Sequence, residues 1–232
     1  MKRAVGQQIG QMKAKMSGYV ALLVYRYANL CIEANPIALL SASVEIEGEK
    51  MKLEEVADVA VHETYHFAVC PKYEDDLFAI GKAIMTEHPE FKQEIKSFDG
   101  YAEEDPAGMF LFYTMPEVDK TRHDVLLQAV DAFYDECTQK MEMVQSECTS
   151  KLAVLQADAT PEEIEQTANY VKEVAKSYND LRDSNRDMKK EEIENAYAEY
   201  QARQEEKKAK EDEQNKEKGN PLQMMMNAAG IE

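Results

Sequence analysis

Between Asp119 and Ala157 the apolar residues Leu126, Val130, Phe133, Cys137, Met141, Val144, Cys148, Leu152 and Leu155 recur in steps of 4-3-4-4-3-4-4-3. That is an eleven-residue repeat, which keeps one apolar stripe on a nearly straight helix. A second stripe runs through residues 1–32 at Val5, Ile9, Met12, Met16, Tyr19, Leu23, Tyr27 and Leu30. Its spacing is also helical, and Asn35-Pro36 should end it. Thr160-Pro161-Glu162-Glu163 supplies an N-cap, a proline for the first helical position and acids for the helix dipole. A third helix should follow, with Ile164, Ala168, Val171, Val174, Tyr178, Leu181, Met188, Ile193 and Tyr197 facing inward.

Residues 37–116 have a different period. Ala42–Glu47 and Asp58–His62 alternate as strands, Tyr65–Cys70 returns, Glu74–Glu87 is helical, and Met109–Thr114 is a last strand. Ser97–Gly108 is a polar, turn-rich excursion. The expected fold is α+β: an elongated three-helix bundle from residues 1–36 and 117–202, with a small β/α/β domain inserted at 37–116. Residues 203–218 hold six basic and six acidic groups and no apolar face, so they should form a solvated helical extension or stay disordered. Beyond Asn220-Pro221, the apolar residues Leu222, Met224, Met225 and Met226 are a candidate anchor for a partner, since methionines adapt to irregular grooves.

The chain of 232 residues carries a net charge of −18, distributed unevenly. Residues 1–32 hold Lys2, Arg3, Lys13, Lys15 and Arg26 and no acid, whereas the remaining 200 hold 22 bases and 45 acids, a balance of −23. Such a body is a poor stand-alone nucleic-acid binder, because phosphate contacts need Lys and Arg to release counterions. The basic start has the composition of an organellar targeting segment, although its apolar spacing fits a first helix better. No apolar run reaches the ~18 residues needed to span a membrane. Cys31, Cys70, Cys137 and Cys148 form no CxxC pair and read as reduced, buried thiols.

His62-Glu63-Thr64-Tyr65-His66 satisfies the H-E-x-x-H zinc-protease pattern. That chemistry needs a helix, on which the two histidines share a face and the glutamate polarises a metal-bound water. Here Val56, Val59, Val61, Phe67 and Val69 surround the motif with strand spacing, so a hairpin turn is expected. No metal, cofactor or catalytic residue is assigned; a metalloprotease remains the remote alternative.

The run from Gly48 to Met85 resembles the second domain of ribosome recycling factors, through Gly48, Leu53, Val56-Ala57, Val59, Val61, Phe67, Val69 and Lys82-Ala83-Ile84-Met85. The family's GRASPSLL and VEYYG patterns lie over Ile32–Leu39 and Val44–Gly48, and LPPLTEERRKDL lies over Met115–Leu126. The resemblance covers roughly residues 5–200 and implies an L-shaped molecule, a bundle joined to the second domain by a two-strand hinge. It also implies association with the ribosome, with ribosomal RNA and proteins as neighbours and a translocase GTPase as a possible partner. The family's bundle-tip arginines fall on Glu142, Gln145 and Ser146, and the GRASP arginine falls on Glu33. Remaining candidate contacts are Lys13, Lys15, Arg26, Arg122, Lys140 and Lys151. A carboxylate cannot make the bidentate phosphate bonds of arginine and repels RNA. The resemblance therefore points to a ribosome-bound structural or assembly component, most readily mitochondrial, or cytoplasmic if the source is bacterial. The alternative is a working recycling factor with shifted RNA contacts.

Overall fold

The computed structural model describes residues 3–39, 42–101 and 105–218. Helix α1 (Arg3–Ala28) buries Val5, Ile9, Met12, Met16, Val20, Leu23 and Tyr27. Tyr19 and Leu30, expected on the stripe, pack against the same core from its edge. Helix α2 (Pro36–Leu39) is a single turn leading to the hairpin of β1 (Ser43–Ile46) and β2 (Glu49–Lys52). The two-residue loop holds Glu47 at φ 51° and Gly48 at φ 85°. Two successive positive φ values match the right-handed twist of the flanking strands, and Gly48 adopts its own without steric cost.

A short turn, α3 (Leu53–Val56), leads into β3 (Ala57–Glu63) and β4 (His66–Pro71). Helix α4 (Leu77–Glu87), β5 (Lys92–Ser97) and β6 (Met109–Thr114) complete the inserted unit. The four strands form one antiparallel sheet in the order β3-β4-β6-β5. Phe67, Val69, Leu111 and Tyr113 alternate onto its covered face and join Leu77, Ile80 and Ile84 of α4 in a second core. Strand β5 carries no sequence signal. Its residues KQEIKS are exposed at five of six positions, because it is the sheet edge and buries neither face. Strand β2 is likewise almost wholly exposed and equally silent in the sequence.

Helices α5 (Lys120–Leu155) and α6 (Pro161–Lys218) close the bundle with α1. Asp119 caps α5 by accepting from the Arg122 amide at 2.8 Å. Thr160 and Glu163 form a reciprocal capping box at the start of α6, at 3.3 and 3.1 Å. The stripe on α5 is as expected except at its end, where Leu155 is exposed beside the α5–α6 turn. The stripe on α6 differs more. Ile164, Ala168, Leu181 and Met188 are exposed, and the inward residues are Thr167, Val171, Val174, Ala175, Arg182, Ile193 and Ala196. Arg182 accounts for the difference: its guanidinium stacks 4.6 Å from the Tyr134 ring and its stem fills the inward position beside Leu181. Helix α6 continues through the charged segment to Lys218, exposed over most of its last turns. No helix among the described residues is long and apolar enough to cross a membrane.

Candidate functional site

The antiparallel face shared by α1 and α5 carries most of the cations singled out from the sequence. Lys15 reaches Glu147 at 2.9 Å, and Lys151, one turn along α5, reaches the same carboxylate at 2.6 Å. Arg26 and Lys140 converge in the same way on Glu136. Lys151 and then Lys15 hold the Glu147 carboxyl down at about 2, and Arg26 and then Lys140 do the same for Glu136. Lys13 donates to the Tyr170 hydroxyl at 2.7 Å and lies over that ring. Arg122 is half-buried in the hinge, where it donates to the carbonyls of Cys31 and Pro116. Each of the six cations is therefore engaged within the chain. A phosphate approaching Lys15, Lys151, Arg26 or Lys140 would meet the carboxylate already paired with it, whose repulsion offsets part of the gain per contact.

The substituted positions lie on the same bundle. Glu142 and Ser146 are exposed, and Gln145 is half-buried with its carbonyl accepting from Thr149. Glu33 lies away from them, exposed in the chain that leaves α1 for the inserted unit. Glu33 thus lies at the hinge end of the bundle, beside Glu192 and Glu199 of α6, whereas the other three lie mid-way along α5.

The two units meet at a hinge that pattern reading did not resolve. The hairpin turn accepts from both connecting chains: Ala34 donates to the Thr64 carbonyl at 2.7 Å and Met115 to the Tyr65 carbonyl at 2.8 Å. Buried beside it, His88 Nδ1 lies 3.3 Å from Glu90 and 4.0 Å from the Cys31 sulfur, and its ring stacks on Phe91. Burial opposes charge on His88, but Cys31 and Glu90 outweigh it and raise the imidazole to about 10. Arg203, on the extended part of α6, donates to the Tyr65 hydroxyl at 3.1 Å and lies 3.6 Å from Glu117. The charged extension therefore makes contact with the inserted unit at its first residue. Cys31 and His88, like Arg203 and Tyr65, lie far apart in sequence, and no local pattern announces them.

The HETYH residues form the end of β3, a turn and the start of β4, with an irregular register between Val61 and Glu63. His66 stacks on Phe112 at 5.2 Å, and His62 meets the same ring edge-on at 5.9 Å. The histidines pack on an aromatic ring from two strands and lack the shared helical face that the protease chemistry requires. Among the described residues no group of three His, Cys, Asp or Glu side chains is arranged to hold a metal. The apolar candidates Leu222, Met224, Met225 and Met226 lie outside the described residues.

Comparison with known proteins agrees with this architecture. The family model for ribosome recycling factor matches residues 29–194. A solution structure of a ribosome recycling factor superposes with a TM-score of 0.66 at 16% identity, covering 84% of this chain and all of the other. A second similar structure is the T. thermophilus ribosome recycling factor, described together with E. coli elongation factor G bound to the E. coli post-termination complex. It gives a TM-score of 0.53 at 20% identity, covering 82% of this chain and 98% of that one. No individual curated protein sequence matches the chain. The α+β architecture is the L-shaped recycling-factor fold. With the family model spanning well over half the sequence, the chain belongs to the ribosome recycling factor family.

Proposed function

We propose that this chain is a ribosome-associated member of its family that acts as a structural or assembly component of a ribosome or its precursor. The carrying observation is the state of the bundle cations. Lys15 and Lys151 are tied to Glu147, Arg26 and Lys140 to Glu136, and the positions matching the family's tip arginines hold Glu142, Gln145 and Ser146. A factor that must bind and release RNA through its tip needs free cations there. A component held mainly by protein neighbours does not. The role is one of binding, without catalysis, and a mitochondrial setting is part of the proposal.

Sedimentation tests this reading. A stoichiometric component co-migrates with one subunit or its precursor at moderate salt, without added nucleotide. Co-migration only in the presence of a translocase GTPase and GTP would overturn the proposal. It would favour the second reading, an active recycling factor. That reading is supported by the likeness to the T. thermophilus factor described with elongation factor G and a post-termination complex.

A further inference from the structure

At the hinge end of the bundle α1 and α6 part and leave a groove of about 680 Å³. The cause is in the sequence of α6. Asn185, Lys189 and Glu192 occupy the positions that face this gap, and such side chains cannot close a dry interface. The floor remains apolar, with Tyr27, Ile32 and Ala196 at 4–5% exposure. Val24 and Met188 form apolar walls that stay open to solvent, at 42% and 59% exposure.

The rim is negative. Glu33, Glu192 and Glu199 line it, and Lys189 is the lining cation, already paired with Glu192 at 2.8 Å. Glu199 has only a long contact of 3.7 Å to Arg203. Glu33 has no ion-pair partner among the described residues. The whole chain, at −18, adds a field of the same sign.

We propose that this groove seats a segment of another protein in which Arg or Lys side chains flank an apolar residue. The apolar floor and walls offer burial for the apolar residue, and the rim carboxylates meet its charged neighbours. Nucleic acid is the wrong sign for this rim. The volume lies in the range of about 300–1,000 Å³ that suits a few inserted side chains. The inference rests on the proposed function, in which a component with engaged cations holds protein neighbours.

The test uses the full chain labelled with 13C at the methionine methyls. The probe is a short amphipathic peptide of arginine and leucine, and the control peptide carries glutamate in place of arginine. On adding the arginine peptide the Met188 methyl signal should move, and that of exposed Met143 on α5 should not. Glu33→Lys should weaken binding by about tenfold, as expected for loss of a close cross-interface charge pair. Glu142→Lys, an equal charge change elsewhere, should weaken it less than about twofold at physiological salt. Met188→Asp should also weaken binding, although it adds negative charge. Because Met188 is exposed, that variant should fold, which circular dichroism checks.

Equal losses for Glu33→Lys and Glu142→Lys would show attraction to the general field and overturn the proposal. So would an unmoved Met188 methyl, or an RNA oligonucleotide that moves it and displaces the peptide. The two readings fail separately. Peptide binding in the groove without co-sedimentation removes the proposed function alone, and co-sedimentation without peptide binding removes the groove alone.

Discussion

Glu136 and Glu147 stand eleven residues apart on α5, and each joins a cation of α1 to a cation one turn further along α5. The partners repeat the interval: Arg26 lies eleven residues after Lys15, and Lys151 eleven after Lys140. Eleven residues make just over three full turns, so two antiparallel helices return to almost the same mutual orientation after that interval. The repeat that sets the apolar stripe thus also sets a ladder of ion triads on the flank of the bundle. Individually such exposed pairs contribute little to stability. Their larger effect is on what the surface can bind.

Freeing these cations should create RNA affinity. The double variant Glu136→Gln, Glu147→Gln is expected to bind RNA more tightly than the wild type, and more steeply with salt. Each new phosphate contact should add roughly 0.7–0.9 to the slope of log affinity against log salt. Glu142→Arg with Gln145→Arg should act in the same direction. Filter binding over a salt series checks this, and an unchanged slope would show that the face does not reach RNA.

The same two carboxylates fix a pH dependence. Both are held at about 2 in the folded chain against an ordinary value of 4.5. A depressed carboxylate contributes stability that is present above 4.5 and lost as pH falls through about 2. The difference in Tm between the wild type and the double Gln variant should therefore be small at neutral pH and vanish towards pH 2. Thermal melts at graded pH measure it; a difference that grows on acidification would contradict the assignment.

His88 works in the opposite sense. Its imidazole is raised from 6.5 to about 10, so its contribution is present below 6.5 and lost as pH rises through about 10. Glu90, itself lowered by the pair, is the partner to remove. Glu90→Gln should bring the His88 titration seen by NMR down towards its ordinary range, and should flatten the loss of stability between pH 6.5 and 10. An unshifted His88 titration in that variant would assign the effect to Cys31 instead.

Arg182 tests the polar stretch in the α6 stripe. Its side chain is 9% exposed, pairs with Asp183 at 2.8 Å and stacks on Tyr134. Arg182→Ala should cost about 2–3 kcal/mol, from lost packing and from an Asp183 left with the Tyr134 hydroxyl at 2.8 Å, a remaining partner that together with partial exposure limits the penalty. Arg182→Met, which keeps the stem, should cost under about 1.5 kcal/mol. Chemical denaturation gives both values; equal losses would show that charge, not packing, holds this position.

Removing residues 204–232 should leave Tm nearly unchanged, because residues 205–214 of α6 are all exposed, while Arg203 keeps its contact with Tyr65. If Leu222 and Met224–Met226 anchor the chain to a neighbour, the truncated protein should co-sediment more weakly with ribosomal particles. Equal co-sedimentation would refute the anchor.

The sequence by itself determined the α+β order, the three long helices and most of their inward faces. A stripe such as Val130 to Leu152 is a local periodic signal, and burial along one helix follows directly from it. It also carried the helix N-terminus at Thr160 and the strand character of the HETYH segment, since capping and alternation are short-range chemistry. Only the tertiary structure decided the rest. The edge strands β2 and β5 bury too little to leave a pattern. The inward turn of Arg182 in place of Leu181 depends on Tyr134 across the bundle. The reach of Lys15 and Arg26 across to α5, the approach of His88 to Cys31, and the groove beside Glu33 all join residues remote in the chain. Periodicity reports which face of one element is apolar, whereas these relationships depend on how two faces meet, and that is fixed only once the elements pack.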